Sequence, residues 1–274
     1  ASKLRLDAKL DSLIETGLLM ARLDSPNLDP EVYTYQIDQL KTEISEEIGD
    51  EKPTPKTVST AIYNAVYDRG GFQVRRHDDQ GSLRVLEDPR RLFEDREGGV
   101  IAMQVLAIDL LRSCGLPEAK STNSPGMILC NPNAEKEEWR FFHSCNGELL
   151  NYDYFRRYSC ARAFLTDKDD VVLVEDREVM LHWMILQKNQ ITVEHWPHRI
   201  LPYLRVLHEA EPDDPHFRAE MVLFQISNGE LTLSEGIKLI KVDDLNFDGA
   251  GRERMLKVFS FMGFNLSEMM TTMN

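Results

Sequence analysis

His143 and Cys145 are the pair in this chain best suited to chemistry. They stand two residues apart at the end of an aromatic run, Trp139 to His143, so on a strand both side chains would leave the same face. A thiol beside an imidazole makes a nucleophile, the ring taking the proton as sulfur attacks a carbonyl. The plainer reading is a hydrogen-bonded histidine and a cysteine packed as a small hydrophobe. Cys114, Cys130, His143 and Cys145 together are zinc-compatible ligand types, but the close paired spacing of a structural zinc site is missing. His195 and His198 flank Trp196 and Pro197 at a helix start, where loop polarity accounts for them. The acidic runs Glu135 to Glu138 and Asp167 to Asp170 lack a calcium-binding ligand loop and read as solvated turns. Met103, Met127, Met180 and Met184 read as core fillers. No cofactor and no metal is therefore expected.

Composition narrows the function classes. Of 274 residues, 42% are apolar and 28% charged, as in ordinary globular proteins. Asp and Glu number 46 against 32 Lys and Arg, and the net charge of −14 opposes nonspecific binding to nucleic acid or anionic membranes. No apolar run has the length of a membrane span, and the N-terminal residues have no signal-like apolar core. The four cysteines include no CxxC pair, and they read as reduced thiols. The expectation is a soluble protein of the cytoplasm or a similarly reducing compartment. An organelle stays open, because a targeting segment could precede Ala1.

The elements that must position these residues are mostly helical. Leu4 to Leu23 has a helical apolar pattern interrupted by Gly17, predicting a helix pair or one kinked helix. Asp29 caps and Pro30 opens a helix reaching about Ile48, with Tyr33, Ile37, Leu40 and Ile44 as its buried stripe. A further helix follows Thr57, buries Val58, Ala61, Ile62, Ala65 and Val66, and is closed by Gly70 and Gly71. Phe72 to Arg91 is charged and irregular, predicting surface chain with a short strand at Leu83 to Leu86. From Val100 to Cys114 only Gln104, Asp109, Arg112 and Ser113 are polar, so a helix buried on most sides is expected between Gly98-Gly99 and Gly115. Met127 to Cys130 and Trp139 to His143 predict an antiparallel hairpin, covered by Leu149 to Phe164. Asn146-Gly147 marks a turn.

The run Thr166 to Asp170 reads as a linker, dividing the chain into domains 1–165 and 171–274. The second domain reads as helical hairpins. One helix carries Met180, Trp183, Met184 and Leu186, and a second runs from Pro197 through Ile200, Leu204 and Leu207. A third starts at Asp214, and a fourth at Thr232, which forms a capping box with Glu235. A last helix spans about Arg252 to Met262. The helix onsets near Glu178 and Asp214 are about 36 residues apart, close to the tetratricopeptide period of about 34. The predicted class is α+β, mostly helical, with a small antiparallel sheet.

Five stretches in order resemble the SirB-type family, in which a transglutaminase-like domain precedes tetratricopeptide-like repeats. They are the Leu-Asp-Pro junction at Leu28 to Pro30, the run Leu92 to Ile101, the helix exit Cys114 to Pro117, the strand Pro125 to Leu129, and His143 to Leu150. The segment His208 to Glu220 resembles the repeats. The resemblance implies a papain-like fold with a Cys opening the central helix, activated by a His that an Asp orients. Counting back about 15 residues from Gly115 places the nucleophile position at Val100; the His falls at Met127, and the Asp at or near His143. The resemblance therefore implies a degenerate enzyme domain with its triad vacated.

Helical hairpins of this kind present faces to partners, so the expectation is a non-catalytic adaptor or assembly factor for another protein. Trp196, Arg199, Tyr203 and Arg205 are the candidate contact residues, as exposed aromatic and basic side chains. The alternative is a residual thiol-dependent hydrolase or acyltransferase using His143 and Cys145.

Overall fold

The computed structural model describes residues 12–23, 25–75, 87–161, 171–193, 197–232, 235, 236 and 239. It is an α+β chain, mostly helical, with a small antiparallel sheet. Two compact units divide it, and the division falls between Gln187 and Lys188.

In the first unit, α1 (Leu13–Ala21) starts at Ser12, whose side chain accepts the Glu15 amide. Gly17 does not break it. A Cβ there would lie 2.1 Å from the Trp183 ring, so the glycine lets an indole rest on the helix. The N-terminal half of the predicted Leu4 to Leu23 pattern lies outside the described residues. Helix α2 (Glu31–Ile48) buries Tyr33, Ile37, Leu40, Ile44 and Ile48, the expected stripe. Asp29 accepts the Glu31 amide at 3.1 Å, and Gly49 at φ +58° ends the helix. Helix α3 (Pro55–Ile62) opens on a reciprocal Thr54–Thr57 cap. It widens into a π-helical stretch, Tyr63–Arg69, that keeps Ala65 and Val66 buried. A two-residue strand, β1 (Gln73–Val74), follows.

The surface assignment of Phe72 to Arg91 is corrected at both ends, while Leu83 to Leu86 lies outside the described residues. Phe72, Glu87 and Arg91 are all buried. Helix α4 (Pro89–Glu94) starts on Asp88, which accepts the Arg90 amide, and buries Leu92 and Phe93. The burial has a simple cause: β2 (Glu97–Gly98) pairs in parallel with β1, and α4 packs beside it. Helix α5 (Val100–Ser113) has every residue from Ala102 to Leu111 buried, as its apolar composition requires. Gly115 stands past its end at φ +118°, where a Cβ would lie 2.4 Å from Pro53.

A five-stranded antiparallel sheet follows. It comprises β3 (Lys120–Thr122), β4 (Met127–Leu129), β5 (Arg140–His143), β6 (Glu148–Asn151) and β7 (Leu173–Val174), in the order β6-β5-β4-β3-β7. The predicted hairpin is β4–β5, with Met127 opposite His143 and Leu129 opposite Phe141. Helix α6 (Tyr152–Ala161) covers one face, stacking Phe155 on Phe141 with ring centroids 3.9 Å apart and planes at 6°. Met127, Leu129 and Leu150 complete that cluster.

The division between the compact units falls after Gln187, not within 165–171. β7 pairs with β3, and Asp176 at the start of α7 (Asp176–Val193) forms a two-pronged ion pair with Arg112 at 2.7 and 2.8 Å. Residues 171–187 belong to the first unit, where β7 joins the sheet and the Trp183 indole donates to the Glu87 carbonyl.

The second unit contains the helical hairpin of α8 (Pro197–Ala210) and α9 (Pro215–Ser227). Ile200, Tyr203, Leu204 and Leu207 of α8 and Ala219, Val222 and Leu223 of α9 are buried. Asp214 accepts the His216 amide at 2.7 Å, a proline-opened start like that of α4. Lys188 is buried and ion-paired with Glu220. The Thr232–Glu235 capping box forms as expected, whereas Arg252 to Met262 lies outside the described residues. No helix among the described residues is long and apolar enough to cross a membrane.

Candidate functional site at the start of the central helix

Val100, Met127, His143 and Cys145 lie around one glycine near the start of α5. Gly126 sits between them at φ +78°. Its amide donates to Gln104 Oε1 at 2.9 Å, and its carbonyl accepts the Ser144 amide at 2.8 Å, so it ties the central helix to the β4–β5 hairpin. A Cβ on Gly126 would lie 3.1 Å from Cys145 Sγ, 3.2 Å from Val100 Cγ1 and 3.5 Å from Ser144 Oγ. The next residue is Met127, the cross-strand neighbour of His143. Val100, Met127 and His143 are thus near in the fold. Met127 and His143 share a sheet face with Leu129 and Phe141, while Val100 lies against the adjoining glycine.

His143 is buried and held on both ring nitrogens. Nδ1 donates to Asn146 Oδ1 at 2.6 Å, and Nε2 accepts from the Tyr158 hydroxyl at 3.3 Å; that tautomer is set by Asn146 Oδ1 also accepting the Glu148 amide. The ring stands edge-on to Tyr158, with centroids 5.1 Å apart. Its in-plane bonding capacity is filled by these two partners. Cys145 belongs to the turn after β5 rather than to the strand, so the alternation expected for the pair ends at His143. Cys145 is half-buried beside Tyr67, whose hydroxyl donates to the Ser144 carbonyl at 2.6 Å. Burial, then charge on the Cys145 sulfur, holds the Tyr67 pKa well above the ordinary phenol range. Gly147 completes the expected turn at φ +74°, its Cα packed on the Tyr63 and Tyr67 rings.

Cys114 and Cys130 are buried. Burial raises the Cys114 pKa and pushes that of Cys130 to about 12. Among the described residues no group of three or more His, Cys, Asp or Glu could hold a metal ion. His195 lies outside those residues, as does Asp167 to Asp170, and the His198 side chain is not described. Glu135 precedes a single 3-10 turn, Lys136–Glu138.

Sequence reasoning missed Glu87. Its Oε2 accepts the Ala102 amide at 2.9 Å, and the Ile101 amide bonds to the same carboxylate, so two of the helix's open donors end on a buried acid. Its backbone carbonyl accepts the Trp183 indole at 2.8 Å and Gln187 Nε2 at 3.0 Å. Burial raises the Glu87 pKa to about 7, outweighing the helix amides that lower it. The legible signal was Gly98-Gly99: a Cβ on Gly99 would lie 2.0 Å from Glu87 Oε1. Paired glycines ahead of a helix allow close approach, but nothing in sequence said by what.

Of the predicted contact cluster, Trp196 lies outside the described residues and Arg199 is half-buried. Tyr203 is corrected: at 2% exposure it is core, because it falls on the α8 stripe with Ile200, Leu204 and Leu207. Arg205 is exposed and ion-paired with Glu230 at 2.7 Å. No protein-family model, curated protein or solved structure matches this chain.

Proposed function

We propose that the chain is a non-catalytic adaptor or assembly factor, a divergent SirB-type protein whose transglutaminase-like domain has lost its triad and whose hairpins are tetratricopeptide-like. One observation carries the reading. Val100, at the helix start, lies on Gly126, the residue before the Met127–His143 pair, so on the family alignment a hydrocarbon and a thioether stand where a nucleophile and its base are expected. Glu87 strengthens it, since its carboxyl group takes up the first helix amides that would otherwise be open to a thiolate. The antiparallel packing of α8 on α9 supports the hairpin half of the reading. Trp196, Arg199 and Arg205 are the contact residues this reading keeps, and the net charge of −14 is compatible with a partner surface that is basic or neutral.

Crosslinking in the native source, then affinity recovery and mass spectrometry, tests this reading. A stoichiometric protein partner whose recovery falls on Arg205→Glu is the expected result. Recovery of no such partner, together with an acyl-transfer activity abolished by Cys145→Ala in a folded protein, would replace the adaptor with a thiol enzyme.

A further inference from the structure

We propose that Cys145 is a peroxide-sensitive modification site, and that its sulfenic acid is held by the Ser144 hydroxyl. This assignment does not depend on the adaptor reading. Two independent observations meet at one corner. Cys145 is half-buried, with Pro125 and Asn146 exposed beside it in sequence or through Gly126, whereas Cys114 and Cys130 are buried. Ser144 Oγ is fully buried and has no hydrogen-bond partner, an uncommon state for a hydroxyl. Both side chains meet the same point over Gly126, at 3.1 Å from Cys145 Sγ and 3.5 Å from Ser144 Oγ. Val100 Cγ1 meets it too, at 3.2 Å, so the point is enclosed from three sides.

The space is tight, so the modification that fits adds little bulk. One oxygen atom on sulfur does so, and it gives the orphaned hydroxyl a partner. In the reaction, the Cys145 thiolate attacks the outer oxygen of a hydroperoxide. An S–O bond forms as the O–O bond breaks. Sulfur is oxidised by two electrons, the hydroperoxide is reduced to its alcohol (water, from hydrogen peroxide), and the departing oxyanion takes up the proton that the thiol released. Ser144 then hydrogen-bonds the new oxygen and slows its loss to further oxidation.

The full chain is exposed to hydrogen peroxide in the presence of dimedone, which traps sulfenic acids, and each cysteine peptide is quantified. The expected result is labelling of Cys145 at least about tenfold above Cys114 and Cys130, with the preference lost in denaturant. Cys145 labelled no faster than the buried thiols would overturn the assignment, and this wild-type measurement decides it alone. For the second half, Ser144→Ala lowers the trapped fraction roughly threefold to tenfold, the value of one hydrogen bond, while iodoacetamide alkylates reduced Cys145 at an unchanged rate. Both main-chain bonds of Ser144 survive that change. Unchanged trapping, or an equal fall in alkylation, would remove Ser144 from the proposal.

Discussion

The Glu87 carboxylate accepts the Ala102 amide at 2.9 Å, so the central helix starts on an acid that is itself 6% exposed. Burial dominates over the helix amides, and the folded protein keeps the Glu87 proton to about pH 7, against an ordinary value of 4.5. Between those values the folded state binds more protons than the unfolded chain, so the stability contributed by this group falls as pH rises through the window and is level above it. Glu87→Gln imitates the protonated form and does not titrate. Relative to wild type it should gain roughly 1–3 kcal/mol between pH 5 and pH 8, read by urea unfolding at each pH. Parallel pH profiles for the two proteins would mean that Glu87 is not perturbed.

Asp109 does for α1 what Glu87 does for α5. Its carboxylate accepts the Leu13 amide at 3.0 Å, the Ile14 amide at 2.8 Å and the Ser12 hydroxyl at 2.7 Å. Asp109→Ala strands two buried amides and should cost about 2–4 kcal/mol, with Ser12→Ala costing about 1 kcal/mol. Chemical denaturation of both variants measures the difference.

Gly17 is the contact point for Trp183, with space for no Cβ. Gly17→Ala has better helix propensity but forces the indole away, and the clash should dominate by about 1–3 kcal/mol. A lowered melting temperature together with a shift in tryptophan fluorescence would establish it. An unchanged melting temperature would show that the indole can move freely.

The Phe141–Phe155 stack closes one sheet face, and both rings are fully buried. Phe155→Ala should cost about 3–5 kcal/mol, whereas Phe155→Leu, which keeps most of the volume, should cost less than half of that. The ratio of the two losses in guanidinium titrations separates cavity formation from loss of the ring contact.

Long periodic segments were legible in the sequence. The α2 stripe from Tyr33 to Ile48 and the apolar sides of α5 follow from residue spacing alone, and the β4–β5 hairpin follows from two aromatic or aliphatic runs around a polar turn. What escaped has no period to show. The strands β1, β2, β3, β6 and β7 are two to four residues long, too short to alternate. The domain division was hidden because α7 is continuous through it, while the charged run Thr166 to Asp170 looked like a break. At the site, Val100, Met127 and His143 were singled out through the family resemblance, but Glu87 bonding Ala102, Gln104 bonding Gly126 and Tyr158 bonding His143 act across 15 to 22 residues, which a linear pattern does not encode.

The cap on α1 also sets an order of assembly. A nine-residue helix is too short to persist alone in water, and the carboxylate that satisfies its first amides comes from 95 and 96 residues downstream. That loop must close before the cap exists, so α1 condenses late, after α5 has presented Asp109, and hydrogen exchange during refolding should protect Leu106 to Leu111 ahead of the Leu13 to Ala21 turn.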